Sequence, residues 1–239
     1  YDDPFLRKAV LPAHVRPVWF SLSDENADVC ALSIRQETDG MSFVLEDQEH
    51  GTFVVNIPAM GRHNVANALA AYCAATRLGC DAKRVIRGLS NFEQTGRRQK
   101  VVHSKGVTVI EDCYNANPES MSAGLDVLLH TAKKKKLRPI AVLGDMLELG
   151  HMSREAHFDL GNEAARKGVE RLITFGKAAR DIAEGALAAG MKKDRITIIE
   201  DTENAEKAAE IIKSIIGKGD AVLFKASRAM ALERVINLI

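Results

Sequence analysis

The sequence predicts an α/β protein with two units in series, and three observations support this fold class. Apolar and polar residues alternate through residues 15–57, as they do in antiparallel strands that have one buried face. From Gly96 onward, short apolar runs alternate strictly with longer segments of helical period, an order typical of βαβ units. Several of these later runs end in clustered polar side chains, and parallel sheets place their ligand sites at such strand ends.

The first unit is predicted to span residues 1–95 and to contain an antiparallel sheet followed by two helices. Turn formers such as Asp39-Gly40 and His50-Gly51 separate the strands. The predicted strands cover residues 18–20, 29–34, 41–46 and 52–57, and the predicted helices cover residues 64–78 and 82–89. Residues 1–5 have the composition of a turn that leaves a strand, so we expect the sequence to start within a domain.

The second unit, predicted over residues 96–239, is expected to be Rossmann-like, with a mostly parallel sheet and helices on both faces. Its predicted strands cover residues 100–103, 107–110, 139–143, 171–175, 195–199 and 221–225. Its predicted helices cover residues 120–134, 154–167, 178–189, 202–216 and 230–239. Residues 94–96, with the sequence Gln-Thr-Gly, form the predicted hinge between the units.

Composition and charge restrict the class of partner. Of the 239 residues, 46% are hydrophobic and 27% are charged, and the formal net charge is +1. This balance is typical of a folded globular protein and gives no basis for binding nucleic acid through a general positive field. We therefore expect small molecules as partners and no nucleic acid.

The cysteines and the apolar segments restrict the location. The four cysteines show no CxxC spacing, so we expect reduced thiols and no zinc site. No apolar run has transmembrane length, and residues 1–5 lack the features of a signal peptide. These observations predict a cytoplasmic protein without membrane insertion.

The segment 109–121 contains the strongest candidate site, because an apolar strand expected to end at Ile110 runs into a polar turn that opens a helix. Pro118 is suited to the first turn of that helix. The turn offers hydrogen-bonding side chains at Asp112, Tyr114, Asn115 and Asn117. Such residues also form ordinary Asx-rich turns that cap helices, so a capping role and a binding role both remain open.

Asn64 and Asn67 open the first long helix and lie three residues apart, on one face of its first turn. A carboxamide donates and accepts hydrogen bonds, so this pair is suited to the amine and ring nitrogen of an adenine base. The alternative is that Asn64 is the N-cap of the helix and that Asn67 is a tolerated polar residue. Both interpretations remain open from the sequence.

Arg97 follows the predicted hinge, where its guanidinium is suited to contact a phosphate or a ribose when two domains close. Arg98, beside it, is interpreted as a surface residue. The basic run at residues 133–136 is assigned to a solvated helix end.

Two further strand ends carry polar residues at the same predicted edge of the sheet. Asp145 and Glu148 follow one strand, with His157 on the next helix, and their carboxylates are suited to hold Mg²⁺ indirectly or to receive a substrate amine. Lys225, Ser227 and Arg228 follow the last strand, next to a predicted helix start, and are suited to an anionic ligand.

Two phosphate-binding motifs are missing from the sequence: G-x-x-x-x-G-K-[ST] and G-x-G-x-x-G. If the protein uses ATP, these 239 residues do not supply a loop of that kind for the triphosphate. The second absence also argues against a dehydrogenase.

Five motifs in this order resemble the Mur ligases: GRHNVANALAA, TGRRQ, EDCYNANPESM, AVLGDMLELGHMSREAH and LFKASRAM. The resemblance implies the later part of a Mur-type central ATPase domain, followed by a complete Rossmann-like C-terminal domain. It implies part of an ATP-dependent peptide ligase of peptidoglycan synthesis that acts through an acyl phosphate. The strings YNANP and LGDMLELG are typical of the member that adds D-Ala-D-Ala to UDP-MurNAc-tripeptide. It also implies a monomer.

The resemblance assigns roles to individual residues. Those for the nucleotide are Asn64 and Asn67 at the adenine, Arg97 at the hinge and Asp112 near the ribose. Those for the incoming dipeptide are Tyr114, Asn115, Asn117, Asp145, Lys225 and Ser227. ATP and Mg²⁺ would be bound mainly by family residues that precede Tyr1, so we expect no metal ligand and no secure catalytic residue in this sequence, and no activity from it alone.

One position departs from the family pattern. Ala226 stands where the family has glycine in K-G-S-R, so we expect an altered loop if that position requires a positive φ.

Two other assignments compete with this one. A folylpolyglutamate synthase or another amino-acid ligase of the same superfamily is the nearest alternative, and the YNANP string argues against it. A noncatalytic nucleotide-binding module with the same fold is the alternative from a different class.

Overall fold

The structure is a computed structural model that describes residues 1–37, 40–93 and 100–239. The chain divides into two compact units, Tyr1–Gln94 and Thr95–Ile239. Asp39 of the predicted Asp39-Gly40 turn, the predicted hinge at residues 94–96, and Arg97 lie outside the described residues.

The first unit contains a four-stranded sheet in the order β1-β2-β3-β4 and three helices. Its strands are β1 (Phe20–Ser21), β2 (Val29–Gln36), β3 (Met41–Asp47) and β4 (Gly51–Ile57). Its helices are α1 (Pro4–Arg7), α2 (Arg62–Arg77) and α3 (Ala82–Ser90). The described strands and the two longer helices lie close to their predicted positions.

The prediction of a wholly antiparallel sheet is wrong for one pair of strands. β2, β3 and β4 pair antiparallel, whereas β1 pairs with β2 in parallel. The carboxylate of Asp28 accepts a hydrogen bond from the Trp19 backbone N–H at 2.7 Å, and the Val29 N–H donates to the Trp19 carbonyl at 3.1 Å. These bonds fasten the start of β2 beside β1, so the connection returns the chain in its original direction.

Within residues 1–5, which were predicted as a turn, a short helix begins at Pro4. The Asp3 carboxylate accepts hydrogen bonds from the backbone N–H groups of Phe5 and Leu6, and it therefore caps α1.

The core of the first unit lies between β3 and α2. Every second residue of β3 is buried, which places Phe43 and Leu45 against Leu69 and Tyr72. The Tyr72 hydroxyl donates a hydrogen bond to the buried Asp47 carboxylate at 2.8 Å. Burial and this carboxylate raise the pKa of Tyr72.

The second unit contains a six-stranded sheet in the order β5-β6-β10-β7-β8-β9, in which only β5 pairs antiparallel among the described strands. Its strands are β5 (Lys100–Ser104), β6 (Val107–Asp112), β7 (Arg138–Gly144), β8 (Arg171–Phe175), β9 (Ile196–Ile199) and β10 (Asp220–Lys225). Its helices are α4 (Pro118–Lys135), α5 (Ser153–Lys167), α6 (Arg180–Ala188), α7 (Ala205–Ile215) and α8 (Glu233–Ile236).

The predicted helix over residues 230–239 is wrong in its extent. A 3₁₀ turn covers Arg228–Met230, and α8 has only four residues. Between them, Ala231 adopts a left-handed conformation with φ of 46°, which interrupts helical hydrogen bonding. β6 also runs two residues beyond Ile110, so Asp112 is the last residue of the strand.

Two close approaches between helices determine the packing on one face of the sheet. A Cβ added at Gly161 of α5 would overlap the carbonyl oxygen of Ile182, and one added at Gly185 of α6 would overlap the carbonyl oxygen of Phe158. The two helices therefore touch backbone to backbone. In the described part of the chain, no helix is long and apolar enough to cross a membrane.

The cysteines give a first testable prediction. All four are free, with Cys80 exposed and Cys30, Cys73 and Cys113 buried. Burial raises the pKa of Cys73 to about 11 and that of Cys113 to about 12, so these thiols stay protonated near neutral pH. We expect iodoacetamide at pH 8 to label Cys80 alone in the folded protein, as measured by peptide mass spectrometry. Labelling of Cys113 as fast as in urea would contradict this expectation, and Cys80→Ser is the control.

Candidate functional site

The carboxyl ends of β6, β10 and β7 lie side by side in the second unit. Lys225 at the end of β10 is in register with Asp112 of β6 and with Leu143 of β7. The helix after β6 lies on the face of the sheet that carries the Lys225 and Leu223 side chains, since a Cβ added at Gly124 of α4 would lie 3.0 Å and 3.3 Å from them.

The connection after β10 leaves on the opposite face. Val235 of α8 packs in one cluster with Ile212 of α7 and with Phe224. Adjacent strands whose connections leave on opposite faces form a crevice at their carboxyl ends, and open α/β sheets bind ligands in such crevices. The fold therefore places the candidate site at the ends of β6 and β10.

A buried ion pair lies at the centre of this edge. The Lys225 ammonium donates hydrogen bonds to the Asp112 carboxylate at 2.6 Å and to the Asn115 carbonyl at 3.1 Å. Lys225 is 2% exposed and Asp112 is 7% exposed. Because each charge is removed from water, each depends on the other for compensation, and the pair fixes the turn after β6 to the end of β10.

The turn from Asp112 to Asn117 combines capping with exposed polar groups. Asn117 is the N-cap of α4 and forms a capping box with Ser120, so the capping interpretation is correct for this residue. Pro118 is the first residue of α4, as predicted. Tyr114 and Asn115 are exposed at the carboxyl edge of the sheet.

The ends of β7 and β10 are joined by two reciprocal hydrogen bonds. The Ser227 N–H donates to the Asp145 carbonyl at 3.1 Å, and the Leu147 N–H donates to the Ser227 hydroxyl at 2.9 Å. The Asp145 carboxylate accepts a hydrogen bond from the Ala179 N–H at 2.7 Å and packs against Gly176, where a Cβ would overlap it. Asp145 therefore holds the loop that leads into α6.

The structure does not gather the acidic residues at this edge into a metal centre. Asp112 is paired with Lys225, Asp145 is bonded to Ala179, and Glu148 is exposed. Within residues 1–37, 40–93 and 100–239, no three His, Cys, Asp or Glu side chains are grouped so that they could hold a metal ion.

Ala226 does not disturb its loop in the way that the sequence suggested. Its φ is not positive, so the alanine side chain causes no strain there. Its methyl group lies over Gly144, where an added Cβ would be only 2.6 Å from the Ala226 Cβ. Glycine at position 144 therefore accommodates alanine at position 226.

The sequence indicates no role for His157. The structure places this residue against the loop that follows β7. The side chain is fully buried, and its Nε2 atom accepts a hydrogen bond from the Met146 N–H at 2.9 Å. Nothing in the local sequence identifies this contact, because it joins a helix to a loop that precedes it.

Asn64 and Asn67 lie in the first unit, and the structure brings them together. The Asn67 amide donates to the Asn64 side-chain oxygen at 3.3 Å, and the Asn64 amide donates to the Met60 carbonyl at 2.7 Å. The N-cap of α2 is Gly61, with φ of 91°, so the interpretation of Asn64 as the N-cap is wrong. The two carboxamides share one face of the first turns of α2.

Comparison with known proteins identifies the class to which this fold and site belong. The model of the Mur ligase middle domain matches residues 1–75, and that of the Mur ligase glutamate ligase domain matches residues 96–228. The chain belongs to the Mur ligase family. The predicted fold class is thereby confirmed.

Two similar proteins share the name UDP-N-acetylmuramoyl-tripeptide--D-alanyl-D-alanine ligase. The Bacillus subtilis protein is 36% identical over 207 residues, which cover 85% of this chain and 43% of the relative. The Escherichia coli protein is 30% identical over 226 residues, which cover 94% of this chain and 47% of the relative. The chain thus spans about half the length of these curated relatives.

Solved structures agree with this comparison. MurF from Acinetobacter baumannii has a TM-score of 0.77 and 28% identity, and the match covers 92% of this chain and 46% of that one. The MurF ligase from Thermotoga maritima in complex with ADP has a TM-score of 0.77 and 29% identity, with 99% of this chain and 51% of that one covered.

Proposed function

We propose that this chain is part of an ATP-dependent ligase that adds D-Ala-D-Ala to UDP-N-acetylmuramoyl-tripeptide in peptidoglycan precursor synthesis. In this proposal, residues 1–95 belong to the middle domain and residues 96–239 form the C-terminal ligase domain. The supporting observation is the connected edge at β6, β10 and β7, where the motifs EDCYNANPESM, LGDMLELG and LFKASRAM meet through direct hydrogen bonds. The substrates in this proposal are those in the name that the Bacillus subtilis and Escherichia coli relatives share.

The proposed reaction has two steps. The tripeptide carboxylate attacks the γ-phosphate of ATP, which gives an acyl phosphate and releases ADP. The dipeptide amine then attacks the acyl carbon, loses a proton and displaces phosphate as the amide bond forms. Such reactions depend on positioning and charge stabilisation more than on covalent chemistry from the protein.

We assign Tyr114, Asn115, Asn117, Asp145, Lys225 and Ser227 to the side of the site that receives the dipeptide. The exposed side chains of Tyr114 and Asn115 are suited to direct contact. Lys225 is buried and bonded to the Asn115 carbonyl, so its role is to hold the turn that presents those side chains. Asn117, Asp145 and Ser227 hold the loops around it.

We assign Asn64, Asn67, Arg97 and Asp112 to the nucleotide. The exposed carboxamide of Asn67, oriented by Asn64, is a suitable partner for the edge of an adenine. Among the described residues, no three acidic side chains are grouped so that they could hold Mg²⁺. We therefore assign the metal and the triphosphate mainly to residues outside this sequence. Such an enzyme would act as a cytoplasmic monomer on small molecules and contribute to cell wall biogenesis, cell shape and cell division.

The proposal is tested by ADP release from the full-length parent protein supplied with ATP, Mg²⁺ and the muramoyl tripeptide substrate. We expect sustained ADP release only when D-Ala-D-Ala is added, together with a product of the corresponding mass. Release with a single amino acid instead of the dipeptide would support another ligase of the superfamily. Nucleotide binding without turnover would support the noncatalytic module.

Arg97 allows a matched test of the nucleotide assignment. We expect Arg97→Ala in the full-length parent to raise the KM for ATP by roughly tenfold or more, because a charge-assisted hydrogen bond to the nucleotide is lost. Arg98→Ala removes the same charge one residue away and is expected to change this KM by less than about twofold. Equal effects of the two substitutions in steady-state kinetics would contradict the assignment.

A further inference from the structure

The loop that follows β7 is held by groups from three other parts of the second unit. The Asp145 carboxylate is bonded to Ala179, the Met146 N–H to His157, and the Leu147 N–H to Ser227. The successive backbone N–H groups of Met146 and Leu147 are thus each bonded to a side chain rather than to a carbonyl of regular secondary structure. This arrangement fixes the path of residues 145–147.

The next residues need that support. Glu148 adopts a left-handed conformation with φ of 66°, and such a conformation costs energy for any residue with a side chain. Leu147 and Glu148 are exposed after the carboxyl end of β7, and the Leu147 N–H is bonded to Ser227, which follows Lys225 at the end of β10. A strained and exposed segment keeps one conformation only where its neighbours determine it.

His157 is suited to this role because both of its ring nitrogens have defined partners. The Met146 N–H can only donate, so Nε2 must accept, whereas the Ser153 carbonyl can only accept, so Nδ1 must donate, at 2.6 Å. The ring is therefore neutral, with its proton on Nδ1. It links the first turn of α5 to the centre of the loop.

We propose that His157 is a positioning residue, which keeps the loop 145–149 in the conformation that receives the incoming dipeptide. It acts through the Met146 backbone and does not touch a reacting atom. The link to the dipeptide rests on the proposed function, whereas the link to the loop does not.

Two substitutions separate the two hydrogen bonds of the ring. His157→Gln places an amide oxygen near the position of Nε2 and can still accept from the Met146 N–H. His157→Asn places its amide near Nδ1, so it can donate to the Ser153 carbonyl but leaves the Met146 N–H without its acceptor. Both substitutions remove the ring, and each keeps one of its two hydrogen bonds, so the difference between them at the Met146 amide shows which bond protects that amide.

Hydrogen exchange of the full-length protein tests the structural step. In the unsubstituted protein, we expect the Met146 amide to exchange at least tenfold more slowly than the Glu148 amide. His157→Asn is expected to accelerate exchange at Met146 by roughly tenfold, and His157→Gln by less than about threefold. The Ile173 amide in β8 serves as an internal reference. Equal exchange rates at Met146 and Glu148 in the unsubstituted protein would overturn the proposal, and this comparison does not require His157→Asn to fold. Equal acceleration of Met146 exchange by the two substitutions would also overturn it.

Kinetics of the same full-length proteins test the functional step. We expect His157→Asn to raise the KM for D-Ala-D-Ala by roughly tenfold while the KM for ATP changes by less than about twofold, and His157→Gln to recover most of the loss. A parallel rise of both constants would overturn the dipeptide assignment. If the unsubstituted protein ligates nothing, the proposed function fails, and the exchange rates still decide whether His157 holds the loop.

Discussion

Replacing Lys225 by methionine is expected to destabilise the second unit by about 3–5 kcal/mol. The substitution keeps an unbranched side chain as far as the Cε position but leaves the Asp112 carboxylate buried without its cation. It also removes the bond that holds the Asn115 carbonyl. Urea denaturation followed by far-UV circular dichroism measures the loss, while the single tryptophan, Trp19, reports on the first unit.

Two controls show whether burial of the charge is the cause. The double substitution Lys225→Met, Asp112→Leu removes both charges and is expected to recover much of the lost stability. Arg180→Met breaks exposed pairs with Glu184 and Glu200 and is expected to cost less than about 1 kcal/mol. A loss of similar size for Lys225→Met and Arg180→Met would show that the buried pair has no special weight.

Replacing Gly161 by alanine is expected to cost about 3 kcal/mol, because the new Cβ would overlap a backbone carbonyl of α6. The Ile182 carbonyl cannot rotate away as the end of a side chain can, so the two helices would have to separate. The matched control is Gly88→Ala in α3, where nothing lies within 4 Å of the added Cβ. That substitution is expected to stabilise by roughly 0.5–1 kcal/mol through helix propensity alone. Thermal unfolding that gave both substitutions the same sign would contradict the close contact.

Local patterns predicted most of the second unit because its central strands β7, β8 and β10 are buried on both faces. All six residues of Asp220–Lys225 are buried, so the strand appears in the sequence as a short apolar run with clear ends. The extent of the final helix was mispredicted because the apolar residues keep a helical period through residues 230–239. That period does not reveal the left-handed conformation of Ala231. The parallel pairing of β1 includes a hydrogen bond from the Trp19 N–H to the Asp28 side chain, and propensity does not reveal such a contact.

The sequence predicted that the candidate site lies at one edge of the sheet, but it did not predict which side chains contact one another there. Alternation of strands and helices predicts that polar strand ends share one edge. It does not give the strand order, and only the insertion of β10 between β6 and β7 brings Lys225 to Asp112. The contact of His157 with Met146 and the close approach of α5 and α6 at Gly161 and Gly185 were beyond prediction for the same reason, since each depends on the packing of separate elements.

The strand order also has a consequence for biosynthesis. β10 is the last strand of this sheet to leave the ribosome, yet it lies between two strands made much earlier. Until it arrives, the nascent chain exposes unpaired edges on β6 and β7, and Asp112 has no cation beside it. The domain therefore cannot complete its sheet, or the edge that carries the candidate site, until β10 has been synthesised. Chaperones that shield strand edges have a defined interval in which to act on this protein.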